Sequence, residues 1–299
     1  MKSIGFVGFG EAAYNISKGL RDTGADVSIT VFDVALEKDP ENGYFRTVSQ
    51  RIEDADVKAV NDVKDLVSSS DVIISAVPAI HSREAAELVL PFMKKGQLFA
   101  DVTTSSPEIK QELAARFEEK GCSFVDSAMM GPLPVYKHRV PMFASGSGAN
   151  MWKETMSPLG MSIRIVGETA GCASQIKLSR SVFMKGLEAL LVETMMFARK
   201  SGIENSVLES LEETMNKVDF RSTATRLITG DTVHSGRRYH ELGEAKEALK
   251  LMHIEPFVTT GAQERLNRSA SMGYRELLGG KTPEDLATVY RLWEKTGLI

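Results

Sequence analysis

The chain has 299 residues, 42% hydrophobic and 25% charged, with a net charge of −4. That length accommodates about two domains with a buried core, and the acidic balance excludes a broad nucleic-acid-binding surface. Cys122 and Cys172 form no CxxC pair and the five histidines no HxxxH or HExxH spacing, so reduced, structural cysteines and no metal site are expected.

The chain starts with Met1-Lys2-Ser3-Ile4, which lacks the charged, apolar, small-residue order of a signal peptide. No apolar stretch approaches membrane-spanning length, so a soluble, cytoplasmic protein with no membrane partner is expected. The first apolar run, Ile4-Gly5-Phe6-Val7, enters Gly8-Phe9-Gly10-Glu11-Ala12-Ala13 and a helical pattern to about Asp22. A second apolar run from Val27 to Phe32 ends on Asp33. Strand, tight turn, helix, strand and carboxylate in that order form the front of a dinucleotide site. Gly8 permits the turn, Gly10 lets the backbone approach a pyrophosphate, and Ala13 holds the third position, where helix packs on strand. The helix N-terminus offers N–H groups and partial positive charge to the phosphates. Asp33, 23 residues after Gly10, stands where a ribose 2′-hydroxyl needs an acceptor. Without this context, the same glycines read as a strand-to-helix turn in any α/β protein.

The polar stretch over residues 35–56 has no assignable form. Residues 57–60 read as a short strand, after which Asn61 caps a short helix. Residues 71–77 form a nearly all-apolar run ending at Pro78, the pattern of a parallel strand covered on both faces. A helix is expected over 82–94 and a strand over 96–102. Ser106 then caps a helix with Pro107 at its first position. Three more strands are expected over 123–126, 140–144 and 162–166. This alternation implies an α/β Rossmann domain, a doubly wound, mostly parallel sheet. Beyond Gly171 the pattern is helical: a long helix over 173–201, then shorter ones over 239–252, 258–272 and 283–296. The expected division is a dinucleotide-binding domain over 1–168 and an all-α substrate and dimerisation domain over 169–299.

In open α/β sheets the ligand crevice lies beyond the carboxyl ends of the strands. Val77-Pro78, Asp101-Val102-Thr103-Thr104 and the segment from Asp126 through Met130 and Gly131 to Pro132 all occupy such ends. Thr103 and Thr104 offer hydroxyls to a substrate or to the nicotinamide end of a cofactor, or else cap the following helix. On the long helix, spacings of four put Lys177, Ser181 and Lys185 on one face. Lys177 reads as a snorkelling surface residue. Buried near a cleft, it would instead be an acid/base, its pKa lowered by desolvation and by Arg180. Arg237-Arg238 present two forked donors for a carboxylate or phosphate, or a pair of solvated charges where a helix begins.

Taken together, these pieces resemble the β-hydroxyacid dehydrogenase family, relatives of 6-phosphogluconate and 3-hydroxyisobutyrate dehydrogenases. The opening GxGxMGxxxAxxL motif is matched by the run from Gly8 to Leu20, and the apolar strand ending in proline by Val77-Pro78. A DxST motif before a helix is matched by Asp101 to Thr104, and a segment like DAPVSGG by Asp126 to Pro132. The glycine, lysine and asparagine of the family's helix motif correspond to Gly171, Lys177 and Ser181.

The resemblance implies a Rossmann domain followed by a helical domain, and a homodimer or homotetramer. It also implies hydride transfer between nicotinamide and a small β-hydroxy acid or a related aldehyde or keto acid. In that chemistry Lys177 moves the hydroxyl proton, Thr103 and Thr104 bind the substrate carboxylate, and Ser181 orients a hydroxyl. Met130 at a substrate-binding serine position, Pro132 for a glycine and Ser181 for the asparagine point to an altered pocket. The stretch from Arg237 to Leu242 and Ile254-Glu255-Pro256 are similar to a subgroup with a phosphogluconate-dehydrogenase-like C-terminal domain. Asp33 favours NAD over NADP, with Lys38 the only cation nearby and no arginine over 34–38, whereas an alanine in place of the third glycine often accompanies NADP. Imine reduction on the same scaffold and nucleotide sensing without turnover are the alternatives.

Overall fold

The structure, a computed structural model, describes residues 2–299. Two compact units meet inside one long helix, the first ending at Ser181 and the second spanning Val182–Ile299. The break therefore falls later than residue 168, because the first turns of that helix are hydrogen-bonded to the sheet.

In the first unit, β1 (Lys2–Val7), α1 (Glu11–Asp22), β2 (Val27–Phe32), α2 (Gly43–Asp54) and β3 (Lys58–Ala59) come first. They are followed by α3 (Val63–Ser68), β4 (Val72–Ser75), α4 (Ser82–Val89), β5 (Leu98–Asp101) and α5 (Pro107–Glu119). Next come β6 (Ser123–Met129), α6 (Leu133–Tyr136), β7 (Met142–Ser145), α7 (Ala149–Met156), β8 (Ile163–Gly167) and the start of α8 (Cys172–Ser201). The strands form one sheet in the order β3-β2-β1-β4-β5-β6-β7-β8. Among the described residues only the β6–β7 pair is antiparallel. The order reverses between β1 and β4, and that switch point opens a crevice at their carboxyl ends.

Side-chain alternation along the strands builds two cores, one on each sheet face. Ile4 and Phe6 of β1 join Ile16 and Leu20 of α1 and Trp152 of α7 on one face. Val7 joins Leu66 of α3, Val89 of α4 and Leu113 and Phe117 of α5 on the other. There Phe99 stacks on Phe117 with ring centroids 4.6 Å apart.

Several boundaries differ from the sequence expectation for local reasons. The stretch over 35–56 resolves into a short 3-10 turn, Val34–Glu37, and α2, capped by the Asn42 side chain. Asp62, not Asn61, caps α3 by accepting the Lys64 N–H at 2.8 Å. Helix α4 stops at Val89 because Pro91 lacks an N–H, and the chain continues as a 3-10 turn.

The second unit is helical: the rest of α8, then α9 (Glu204–Asn216), α10 (Phe220–Leu251), α11 (Phe257–Ser271), α12 (Tyr274–Leu277) and α13 (Leu286–Lys295). Helix α10 starts about five turns before the expected residue 239. Threonines at 223, 225, 229 and 232 and Gly230 depress helix propensity there. The Asp219 cap and packing along α11 override that preference. Glu193 of α8, buried, accepts from Val258 N, Thr259 N and Thr259 Oγ1 at 2.8, 2.9 and 2.6 Å and so caps α11. Among the described residues no helix is long and apolar enough to cross a membrane.

His138 is a buried titratable group whose ring titrates near neutrality in the unfolded chain. It is 3% accessible, neither ring nitrogen has a hydrogen-bond partner, and the ring fills the space left by Gly19. Burial, then Arg139 and Lys137, push its pKa below the usual imidazole value. A lowered folded-state pKa means the unfolded chain binds the extra proton. The stability is therefore complete above about pH 6.5 and declines as pH falls below it. A His138→Gln variant should show a shallower loss of melting temperature between pH 7 and 5 than the parent, measured by differential scanning calorimetry; parallel curves would contradict this.

Candidate active site

The cofactor end of the site is built where β1 and β4 diverge. Gly8 has φ +83°, and a Cβ there would lie 2.7 Å from Val77 Cγ1, so only glycine lets β1 turn this close to the β4 end. Phe9 contributes only backbone to the turn, since its ring is buried edge-on against Phe6. Gly10 is the N-cap of α1, and a Cβ on it would meet open space. No side chain caps the first-turn amides of α1, in contrast to α2, α3, α5, α10 and α13. Glu11 opens the helix exposed, Ala12 is half-buried, and Ala13 is fully buried in the sheet–helix core. The Asp33 carboxylate accepts the Phe9 N–H at 2.6 Å and the Ala35 N–H at 2.8 Å. A carboxylate has about four acceptor directions, so two remain for a ribose diol.

Gly8, Gly10 and Asp33 line a cleft of about 790 Å³ together with Val77, Pro78, Lys38, Tyr44, Thr47 and Arg51, whereas the side chains of Phe9, Glu11, Ala12 and Ala13, expected at the cofactor, are not among its lining. An open glycine, uncapped helical amides and an available carboxylate together fit a dinucleotide: pyrophosphate on α1, ribose on Asp33. Lys38 is not the only cation nearby, because α2 brings Arg51 to the same wall. Lys38 lies over the Tyr44 ring, 5.1 Å from its centroid. The unassigned stretch over 35–56 concealed this wall, and the amphipathic spacing of Tyr44, Thr47, Val48 and Arg51 was the available signal.

The candidate chemical end lies at the carboxyl end of β5 and beside the middle of β6, which runs on to Met129 instead of stopping at Asp126 as the sequence suggests. The register of the two strands sets Asp101 directly opposite Asp126, both fully buried. Like charges placed so repel, and Lys110 of α5, equally buried, stands between them: Nζ is 2.6 Å from Asp101 Oδ2 and 3.6 Å from Asp126 Oδ1. Asp126 also anchors α8. Ser174 donates from N and Oγ to its two oxygens at 2.8 and 2.7 Å, and Ala173 N donates to Ser145 Oγ at 3.0 Å. Those bonds satisfy first-turn amides that would otherwise be orphaned. Gly171 (φ +96°) makes the entry possible, since a Cβ there would sit 2.8 Å from the Pro107 carbonyl.

One turn beyond Ser174, Lys177 is half-buried on this anchored segment, with Ser181 a further turn on. Desolvation first, then Lys110, lower the Lys177 pKa, while Asp126 opposes them. Arg180, expected to act on it, is instead turned onto the Met130 carbonyl at 3.3 Å. That bond holds the Met130-Gly131 bend beside α8.

The two threonines differ. Thr103 is buried, with its N–H and hydroxyl donated to Asp101 Oδ1 at 3.0 and 2.5 Å, so its side chain braces the wall. Thr104 is half-buried. Neither caps α5, whose first turn is capped by Ser106. One hydrogen-bonded frame in the first unit thus joins the start of α8, which carries Lys177, to Asp126, Lys110 and the Thr103 corner, while Arg180 ties the same helix to Met130. Arg238 lies in the second unit, half-buried in the middle of α10 rather than at a helix start, with its guanidinium against Gly230. Arg237 is ion-paired with Glu241 on the exposed side of that helix. Among the described residues no group of three or more His, Cys, Asp or Glu side chains is arranged to hold a metal.

Residues 3–159 match the NAD binding domain of 6-phosphogluconate dehydrogenase, and residues 198–269 match a domain of unknown function, DUF1932. The "Uncharacterized 28.5 kDa protein in 7S RNA 5′ region" of Methanothermus fervidus is 31% identical over 255 residues, covering 85% of this chain and 94% of that protein. The 2-(hydroxymethyl)glutarate dehydrogenase of Eubacterium barkeri is 23% identical over 308 residues, covering 98% and 95%. An imine reductase structure from Bacillus cereus superposes with a TM-score of 0.74 at 13% identity, covering 98% and 99%, a likeness of fold alone. With the nucleotide-binding domain matched over more than half of the chain and a relative 31% identical over 85% of it, the chain belongs to the β-hydroxyacid dehydrogenase family.

Proposed function

We propose that the protein is an NAD(P)-dependent oxidoreductase that moves a hydride between nicotinamide and a small β-hydroxy acid, or the matching aldehyde or keto acid. The observation that carries this reading is Lys177: a half-buried amine with a lowered pKa, on a helix start fastened to Asp126. When bound, the nicotinamide supplies or accepts the hydride. Lys177 does the proton work. As a neutral amine it takes the proton of the substrate hydroxyl; as an ammonium it returns one to a carbonyl oxygen. Its depressed pKa keeps more of the neutral base present near neutral pH. Thr104 binds the substrate carboxylate on a corner braced by Thr103, Ser181 orients the hydroxyl, and the backbone at Met130-Gly131 closes the pocket wall.

Replacing Lys177 by Met should lower single-turnover hydride transfer by about 10²–10⁴-fold, and oxidation by the parent should rise with pH through the Lys177 pKa. A near-normal rate in the variant would remove the assigned role. A second reading, reduction of a C=N bond, rests on Met130 standing where the family motif has a substrate-binding serine. Assay of β-hydroxy acids alongside cyclic imines separates the two, and nucleotide binding without turnover on either set would mark a sensor.

For the cofactor we propose NAD, because Asp33 stands at the ribose position and repels a 2′-phosphate. Fluorescence titration should find NADH bound more tightly than NADPH. Gly10→Ala should weaken NADH by roughly tenfold or more while the melting temperature stays put, since the added methyl meets no protein atom but occupies the pyrophosphate approach. Tighter NADPH binding, with Arg51 and Lys38 holding the phosphate, would reverse the assignment.

The second unit favours a homo-oligomer. Val182, Val192, Leu208, Leu211, Met215 and Phe220 leave apolar surface exposed on α8, α9 and α10, with Val182 at 78%. An area of this kind marks an interface, and a second copy of this chain is the proposed cover. Light scattering should give at least twice the mass of the chain, and Val192→Glu with Leu208→Glu should reduce it to a single chain. A monomeric parent would refute the proposal.

A further inference from the structure

Lys110 is outside every motif that marks the family in this sequence, yet it is among the most completely buried side chains in the molecule. It sits on α5 at the first position of the buried face that continues through Leu113, Ala114 and Phe117. A lysine there must find partners, because an uncompensated ammonium in the interior is very costly. It finds three: Asp101 Oδ2 at 2.6 Å, the Thr103 carbonyl at 2.9 Å and Asp126 Oδ1 at 3.6 Å. Each belongs to a different part of the site frame. Asp101 ends β5 and also receives Ser82 Oγ at 2.7 Å. Thr103 begins the substrate corner. Asp126 receives the first turn of α8.

We propose that Lys110 is a positioning residue of the Lys177 site: its amine fastens the Asp101–Thr104 corner to the carboxylate on which α8 starts, and it sets the charge that the Lys177 amine meets. The proposal rests on the functional reading above only in calling that site catalytic. Stability alone is a weak reason for such a cluster, since buried ion pairs are commonly replaced by apolar residues at little or no cost. The geometry supplies a better one. Asp126 alone would attract a proton to Lys177 and hold it there, and the Lys110 ammonium beside that carboxylate opposes it. The charged groups acting on Lys177 are Lys110 from α5 and Asp126 from β6, with opposite signs, while Arg180 on its own helix is bonded to Met130.

The test reads the titration of Lys177 without requiring turnover. The full chain is labelled with trace acetic anhydride from pH 6 to 11, and acetylation of the Lys177 peptide is followed by mass spectrometry. At any pH below the midpoint, the labelling rate changes about tenfold when the midpoint moves by one on the pH scale. Lys110→Met should move the midpoint to higher pH, Lys110→Arg should leave it near the parent, and Asp126→Asn should move it to lower pH. Mere loosening of the site would re-solvate the amine and raise the midpoint in Asp126→Asn as well. A rise or no change in that variant therefore overturns the proposal. Should Lys110→Met fail to fold by circular dichroism, Asp126→Asn alone decides. The two readings fail separately. Opposed movements of the midpoint with normal turnover by Lys177→Met would sink the catalytic role and leave this one. A dead Lys177→Met variant with unmoved midpoints would do the reverse.

Discussion

The two hydrogen bonds from Ser174 to Asp126 fix the start of α8, and with it Lys177, against the sheet. They join the start of a 30-residue helix to the middle of β6, so the amine one turn later has a defined place beside the sheet. The helix dipole adds to the bond, since a carboxylate at a helix N-terminus is favourably placed. Asp126 can do this only because its own charge is compensated. It faces Asp101 across the strand pair, and Lys110 stands between the two. Strand register, buried cation and helix start form one unit, and changing any member disturbs the others.

The nucleotide cleft follows a different logic. Its parts are set by what is missing rather than by what is bonded: no Cβ at Gly8, none at Gly10, no side chain capping α1. Asp33 holds the arrangement by binding the Phe9 and Ala35 amides while keeping acceptor capacity. One end of the site is therefore a rigid charge cluster and the other a preformed vacancy shaped by backbone.

Much of this was legible in the residues. The Gly8–Asp33 pattern, the apolar β4 run, the Ser106-Pro107 helix start and the long lysine helix all follow from local rules that tertiary contacts leave intact. What was not legible depended on register and packing. Nothing in the sequence says that Asp101 lies opposite Asp126, so the need for Lys110 could not be read from it. Arg180 looked like the charge acting on Lys177 because it is near in sequence, whereas the structure turns it onto Met130 and brings Lys110 in from another helix. From sequence Thr103 reads as a substrate ligand, whereas in the structure its hydroxyl is donated to Asp101. The N-terminal half of α10 was hidden because its threonines and glycine disfavour helix locally, and packing with α11 decides otherwise.

The uncapped start of α1 has a thermodynamic consequence. In the absence of nucleotide those amides are left to water, and the helix forgoes the roughly 1 kcal/mol that a capping side chain contributes. A ligand that covers them binds the folded chain and not the unfolded one, so it adds about 2.7 kcal/mol when present at a hundred times its dissociation constant. The resistance of this protein to heat and proteases is then not a fixed property of the polypeptide. Under the proposed nucleotide reading it would rise and fall with the concentration of the ligand that fills the cleft.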